Sequence, residues 1–437
     1  MLLSGARIAP GKLRCFPQRG YLVGGAVRDI LLGESPADFD YLTENPREDA
    51  SACALSCNGT AFLLDESRNQ WRALCPGFSY DFSPLGDLQE DLLSRDYSVN
   101  SLAVNRQGVV MGPAIAFHDL PKRTLRALCK ANLQQDLLRP LRGWRLWSLS
   151  SLRPEPRTLS WIAELAASQR FGAQPAAERV RIELEKVISS QRAAWGFRKL
   201  LDLGFAAAYL REWSAGAGVQ QYGYHHLDVA NHQLETLFQL LRLFPGAGLA
   251  LRWAALLHDV AKPLVRQYDA SRGYFRFFNH AEDGSQIAAL VLGRLRQPKR
   301  LIARVRRLIL WHMDTPPTSK RGLKRWLYRR RAMIPELIML QLADRAASRG
   351  ELAKGLASEL QRLHSVLKLA RASQSKEGAP LLLSGRDIMK ILGIEPGPLV
   401  GRLKDLLAQA QALDEVTERG AAVNYVKYLY DSGLTET

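Results

Sequence analysis

Between Arg19 and Gly112 the apolar positions change their period every few residues. GYLV (20–23) is a short apolar run, AVRDILLG (26–33) repeats apolar residues at spacings of three and four, and DFDYL (38–42) alternates. These patterns predict strand, helix and strand, because side chains share a face every second residue on a strand and about every 3.6 residues on a helix. On the same reading PREDASACALSCN is a helix and AFLLDE, WRALC and FSYDFS are strands, which makes this region a mixed α/β domain. From about Leu133 the helical spacing runs almost without interruption, as in LLRPLRGWRLWSLSSL and ERVRIELEKVI, and predicts a helical body. Breaks rich in Gly, Ser or Pro fall at 153–157, 214–223 and 373–380.

Composition narrows the function classes. A chain of 437 residues that is 47% hydrophobic buries a full core and divides into several domains. Its net charge of +17 favours a polyanionic partner, with nucleic acid first and an anionic membrane surface second. No apolar run approaches the ~18 residues of a membrane span. The first residues, MLLSGARIAPGKLR, do not have the pattern of a signal peptide, so a cytoplasmic protein without a membrane partner is expected. The five cysteines (Cys15, Cys53, Cys57, Cys75, Cys129) show no C-x-x-C spacing and are expected to be reduced core thiols. Nothing in the pattern sets an oligomeric state.

The stretch GYLVGGAVRDILLGESPADFDYL carries the first candidate chemistry. Gly24 and Gly25 join a strand to a helix and leave backbone N–H groups free to bind phosphate, with Arg28 placed to add a bidentate contact. Asp38 and Asp40 alternate on a strand, so both carboxylates face one side and suit a hard divalent cation such as Mg²⁺. A phosphate turn beside paired carboxylates suits phosphoryl or nucleotidyl transfer.

GGAVRDILLG followed by DFDYL resembles the signature of the class II tRNA nucleotidyltransferase and bacterial poly(A) polymerase family, of the DNA polymerase beta type. Further blocks follow in that family's order. DLLSRDYSVNSLAVN (91–105) resembles its second motif at Arg95, Asp96 and Asn100, with Ser94 in place of an arginine. QDLLRPLRGWR (135–145) resembles a later motif at Asp136, Arg139, Arg142 and Arg145, with Gln135 in place of the usual Glu. ERVRIELEKV resembles the neck helix at Arg179 and Glu183.

The resemblance implies that Asp38 and Asp40 hold the catalytic Mg²⁺, with Asp81 as a third carboxylate. It also implies that Asp136 and Arg139, expected at i and i+3 on one helix face, read the base edges of CTP or ATP without a template. The substrate implied is the 3′ end of tRNA. The segment from Asp40 to Arg95 has no room for the flexible loop with which CCA-adding members switch to ATP, which leaves addition of CC alone or A alone as expectations beside full CCA. The near alternative is a poly(A) polymerase.

Six of the eight histidines fall between 225 and 312. The ordered set His232, His258–Asp259, His280, His312 and Asp344 resembles the HD phosphohydrolase superfamily. His232, His258, Asp259 and Asp344 are the expected primary ligands of a divalent transition metal or Mg²⁺, whose bound water becomes a nucleophile near neutral pH. His280 and His312 are available for a second metal, and Lys262 for a phosphate. An HD phosphohydrolase whose head merely binds RNA is therefore a reading from a different class.

The basic stretches of 294–331, with Trp326 and Tyr328 interleaved, are expected to contact and stack on RNA. LLLSGRDIMKILGIEPGP resembles the tail block that helps cradle tRNA, at Gly385, Asp387, Gly393, Gly397 and Pro398. The expected fold class is α+β. A nucleotidyltransferase head (1–132) precedes a helical neck (133–213), an HD domain (214–372) and a helical tail (373–437).

Overall fold

The computed structural model describes residues 3–9, 15–170, 172–221, 225–349, 356–374, 381–412 and 415–433. The chain falls into two compact units, Met1–Ser214 and Ala215–Thr437.

The first unit is organised by one eight-stranded sheet. Its strands are β1 (Leu3–Arg7), β2 (Gly20–Val23), β3 (Asp38–Thr43), β4 (Thr60–Asp65), β5 (Gln70–Cys75), β6 (Phe78–Pro84), β7 (Ala103–Val104) and β8 (Val109–Gly112). They lie in the order β1-β8-β7-β2-β3-β6-β5-β4. Every pair is antiparallel except β3 with β6. That parallel pair requires a crossover, which helix Pro46–Ser56, β4 and β5 supply. All connections from β3 to helix Leu88–Ser94 are tight, none longer than the four residues 66–69.

Alternation along β3 sorts its two faces. Phe39 and Tyr41 are buried and stack on Tyr80 and Phe82 of β6, with ring centroids 5.1 and 5.3 Å apart. Such pairs add about 0.5–1.5 kcal/mol each beyond simple burial. On the other face Leu42 joins Val23, Leu92 and Ala103 in a small core beneath helix Leu88–Ser94, while Asp38 and Asp40 are left open. The same hydrophobic pattern that closes one end of the face thus exposes the carboxylates at the other.

Helices Arg139–Leu149, Pro156–Gln169, Ala177–Ile188 and Ala193–Asp202 complete this unit. Trp144 is fully buried, donates Nε1–H to the Gly196 carbonyl at 2.7 Å and packs edge-on against Phe197. The RPEPR break is a short strand, Arg153–Pro154, paired in parallel with Thr124–Leu125.

In the second unit the HD region is built from helices Val229–Leu243, Leu249–Leu257, His280–Arg294, Lys299–Trp311 and Glu336–Ala347. A β-hairpin, Arg266–Asp269 with Tyr274–Phe277, interrupts what the spacing reads as continuous helix. The tail has its own apolar cluster, in which Leu383, Ile388, Leu403, Leu407 and Val426 are buried. Its S-G-x-D block is a capping box: Ser384 Oγ accepts from the Asp387 N–H and the Asp387 carboxylate accepts from the Ser384 N–H. Gly393 closes that helix at φ 67°, the left-handed conformation that favours glycine. Residues 375–380 of the expected break at 373–380, and 222–223 of the break at 214–223, lie outside the described residues. Among the described residues no helix is long and apolar enough to cross a membrane.

The cysteines correct the expectation of five reduced core thiols. Cys15 joins Cys53 and Cys57 joins Cys75 as disulfides, and Cys129 is free and exposed. Their partners are 38 and 18 residues apart, so the pairing is a product of tertiary packing that spacing does not reveal.

One packing prediction follows from Gly143, which allows helix Arg139–Leu149 to seat closely on Tyr97. A Cβ there would stand 2.0 Å from the buried Tyr97 hydroxyl, which donates to the Arg139 carbonyl at 2.9 Å. Gly143→Ala is expected to lower stability by about 1–3 kcal/mol despite alanine's better helix propensity, read as a lower thermal unfolding midpoint of the full chain.

Candidate active site and metal centre

The open face of β3 forms the floor of a cleft of about 600 Å³, lined by both aspartates together with Asp81, Arg28, Arg95 and Arg142, among others. Parallel register sets Asp40 directly beside Asp81 on β6. Asp81 is in turn clamped by Arg72 of β5, with Nε–Oδ1 at 2.6 Å and Nη2–Oδ2 at 2.7 Å, a bidentate pair that fixes its carboxylate plane. Asp40 reaches solvent through the cleft mouth, yet enough protein crowds its carboxyl to strip water from it. That desolvation, followed by the negative charges of Asp81 and Asp38, raises its pKa above the usual carboxylate range, while Arg95 and Arg142 oppose the rise. Carboxylates pressed together in this way fit a bound divalent cation, which would relieve the repulsion.

The glycine turn meets the second motif across the cleft. Gly24 has φ 78°, and a Cβ on it would lie 2.4 Å from Arg95 Nη1, so glycine is required both by conformation and by space. Arg95 is held by Asp91 at 2.8–2.9 Å. Arg28 is buried and donates to Asp29 at 2.7 Å and to Asn100. Asn100 donates onward to Asp96 at 2.9 Å, and Arg142 approaches the other oxygen of Asp96 at 3.6 Å. Arg145 pairs with the buried Glu183. Arg139, Arg142 and Arg145 all line the cleft, as does Lys186.

The second centre lies in the second unit. Asp259 is almost fully buried and is ringed by His258 Nε2 at 3.2 Å, His280 Nε2 at 3.6 Å, His232 Nε2 at 3.7 Å and His312 Nε2 at 3.9 Å. Asp344 lies 2.9 Å from His232 and 3.6 Å from His258. Three of the rings are aimed by their far nitrogens: Nδ1 of His258, His280 and His312 contacts the carbonyls of Ala255, Phe277 and Ile309 at 2.6–3.0 Å. Donation from Nδ1–H selects the tautomer with its lone pair on Nε2, the one a metal needs. Nε2 of His258 and His280 and Oδ1 of Asp259 are buried without a hydrogen-bond partner. Two groups, His232–His258–Asp259 and Asp259–His280–His312, bring their ligand atoms within 4.8 Å of one another, so Asp259 can bridge two metal positions.

These geometries agree with comparison to known proteins. Residues 20–66 match the poly A polymerase head domain, residues 151–216 the probable RNA and SrmB-binding site of polymerase A, and residues 229–349 the HD domain. The chain is 39% identical to the A-adding tRNA nucleotidyltransferase of Deinococcus radiodurans over 404 residues, which is 92% of this chain and 93% of that one. It is 40% identical to the CC-adding tRNA nucleotidyltransferase of Thermus thermophilus over 415 residues, 94% of each. The chain belongs to the tRNA nucleotidyltransferase family. Its fold is shared by the Bacillus stearothermophilus CCA-adding enzyme solved with CTP, at TM-score 0.59 and 20% identity over 96% of this chain and 95% of that one.

Within this family member several expected placements change. Asp136 and Arg139 do not share a helix face: Asp136 ends helix Lys130–Gln135 in an extended conformation, and Arg139 opens the next helix. The reason is Pro140, whose ring would clash with the Asp136 carbonyl in a continuous helix. Asp136 instead pairs with Arg179 at 2.6 Å and is not among the residues lining the cleft. Gln135 still reaches Arg139 Nη1 at 3.3 Å, and the Ser94 and Asn132 carbonyls hold the same nitrogen at 2.7–2.8 Å, so neutral acceptors replace the usual ion pair. Lys262 is buried against Asp259 at 2.7 Å and Gln221 at 2.6 Å, where it neutralises a carboxylate.

Trp326 is buried core and unavailable for stacking on RNA. Arg304, Arg321 and Arg330 are engaged by Glu336, Glu415 and Asp314. Four charged cleft residues went unread in the sequence: Asp29, Arg72, Asp91 and Lys186. Lys186 had a signal, because Arg179, Glu183 and Lys186 recur at i, i+4 and i+7 on one neck helix.

The buried imidazoles set a pH dependence. Burial lowers His225 to about 2, and burial followed by the neighbouring His258 lowers His312 to about 4. The unfolded chain, with histidines near 6.5, then binds more protons than the folded one between about pH 4 and 6.5. Stability of the metal-free protein therefore falls as pH drops through that window. His258 has the opposite sign: burial would lower it, but Asp259 holds it up to about 10, so its contribution is lost as pH rises from 6.5 toward 10. Thermal unfolding of metal-free protein across pH should show losses on both sides. Replacing the central carboxylate, Asp259→Asn, should abolish stoichiometric metal binding at this centre by elemental analysis while nucleotide incorporation persists.

Proposed function

We propose that this chain transfers CMP or AMP from CTP or ATP to the 3′ end of tRNA without a template, and that it is a partial enzyme that adds CC or A. The observation that carries the reading is the Asp38–Asp40 pair facing an arginine-lined cleft, with Asp81 clamped beside it. Asp38 and Asp40 hold Mg²⁺, which supplies Lewis-acid stabilisation of the charge that develops between the tRNA 3′-hydroxyl and the departing pyrophosphate. Asp81 is the third carboxylate, kept in plane by Arg72. The Gly24–Gly25 turn lets the nucleotide approach the backbone closely. Arg28, Asn100, Asp96 and Arg95 form the rigid wall behind it.

Arg139, Arg142 and Arg145 present cations to the triphosphate and base. Arg139 is held by backbone carbonyls, so its orientation does not depend on a template. Asp136 acts through Arg179 to place the neck helix against the cleft. Restriction to CC or A rests on the tight connections between β3 and helix Leu88–Ser94, which leave no long loop to reshape the site for a second nucleotide. Of the two high-identity relatives, one is an A-adding and the other a CC-adding tRNA nucleotidyltransferase.

On this reading residues 1–132 are the transferase head, 133–213 the neck, 214–372 the HD domain and 373–437 a tail that touches tRNA. The protein then works where tRNA and nucleotides are found, in the cytoplasm. We further assign the HD centre to phosphate removal from RNA ends. His232, His258, Asp259 and Asp344 hold a first divalent transition metal or Mg²⁺, and His280 and His312 complete a second position through Asp259.

Labelled CTP and ATP, supplied separately and together with Mg²⁺ to tRNAs lacking CCA, CA or A, test this directly. Two cytidines that stop, or one adenosine on a CC end, are expected. Completion of CCA would overturn the short-connection reading, and long A tracts would make the chain a poly(A) polymerase. Asp38→Asn with Asp40→Asn should reduce incorporation by roughly three orders of magnitude, the scale of several kcal/mol of lost transition-state stabilisation. An unchanged rate would sink the assignment and move the chemistry to the HD centre.

A further inference from the structure

The four paired cysteines of the first unit lie together in a way that two independent disulfides do not require. Cys53 and Cys57 are four residues apart at the end of helix Pro46–Ser56, Cys15 lies ahead of β2, and Cys75 ends β5. The sulfurs of Cys15, Cys53 and Cys75, members of both pairs, lie within 4.8 Å of one another, and Cys57 is bonded to Cys75. Three sulfurs from three separate segments thus converge, and the fourth is bonded to one of them. A tetrahedral zinc with Zn–S bonds of ~2.3 Å has sulfurs about 3.8 Å apart, a spacing of the same order as the one that brings Cys15, Cys53 and Cys75 together.

The surroundings are built for that cluster. Cys53 is 3% exposed, and a side chain at Gly59 would meet Cys57 Sγ at 2.9 Å and the Leu74 carbonyl at 2.1 Å. Glycine there keeps space open where helix, turn and β5 close on the sulfurs. Nothing in the nucleotidyl-transfer chemistry uses these residues.

We propose that the reduced protein holds one structural Zn²⁺ as a tetrathiolate of Cys15, Cys53, Cys57 and Cys75. Two equivalents of a dithiol reductant supply the four electrons and four protons that open both disulfides and are themselves oxidised to two disulfides. The four thiols then release four protons on binding one Zn²⁺. Thiolate donors in a closed, four-ligand shell select zinc over the hard cations suited to Asp38 and Asp40. The ion would tie the segment ahead of β2 to the end of β5, three residues beyond the Arg72 that clamps Asp81.

The test uses the full chain, purified without chelator, reduced with a phosphine under anaerobic conditions and exchanged with Co²⁺. Thiolate-to-cobalt charge-transfer bands in the near ultraviolet, together with intense tetrahedral bands in the red, are expected. The HD centre offers only imidazole and carboxylate donors and cannot give the charge-transfer bands. Elemental analysis should find one zinc per chain that a thiol-directed mercurial releases and that persists in Asp259→Asn protein. Cys57→Ser should weaken cobalt binding by at least about tenfold, and Cys129→Ser should leave it unchanged.

If Cys57→Ser fails to fold, the wild-type cobalt spectrum decides. Cobalt uptake without charge-transfer bands, or two disulfides that survive the phosphine, would overturn the proposal.

Discussion

Two carboxylates set side by side by a parallel strand pair are the constraint on which the first unit depends. Asp40 and Asp81 are register partners, and their mutual repulsion with partial loss of water is unfavourable unless cations surround them. The unit answers with Arg72 on one strand, Arg95 behind the glycine turn and Arg142 on the neck. Each of these arginines is itself held by a carboxylate, so charge alternates through the wall of the cleft in place of accumulating. The glycine at 24 belongs to the same arrangement, because any side chain there would displace Arg95.

The HD centre solves a related problem with different groups. Burying Asp259 among imidazoles, with Asp344 half-buried beside it, would be costly if the rings were free to turn. Backbone carbonyls three residues earlier hold three of the Nδ1 atoms, and Nε2 is left facing the carboxylates. The aim of those rings comes from helix C-termini for His258 and His312, where carbonyls are free, and from the strand end at Phe277 for His280.

Local patterns were readable to the extent that they act locally. D-x-D alternation placed two carboxylates on one face because strand geometry allows little else, and the ordered histidines fell on the helices that bring them together. The tail block was readable as a motif, and its physical content is a helix cap and a left-handed glycine. Asp136 with Arg139 failed as a helical pair because Pro140, visible in the sequence, breaks the helix between them. Trp326 failed as a stacking group because charge density around an aromatic says nothing of which side of the helix meets the core.

The sequence by itself determined the α+β class, the position of the glycine turn, the D-x-D pair and the ordered histidines of the HD region, since each depends on spacing over a few residues or on order along the chain. The tertiary structure decided that Arg72 clamps Asp81, that Lys186 enters the cleft, that Lys262 serves Asp259, and that Cys15, Cys53 and Cys75 come together. Those contacts join segments whose separation in sequence carries no periodic signal. They exist because strand pairing and helix packing bring the segments within a few ångströms, and charge and sulfur chemistry then select the partners.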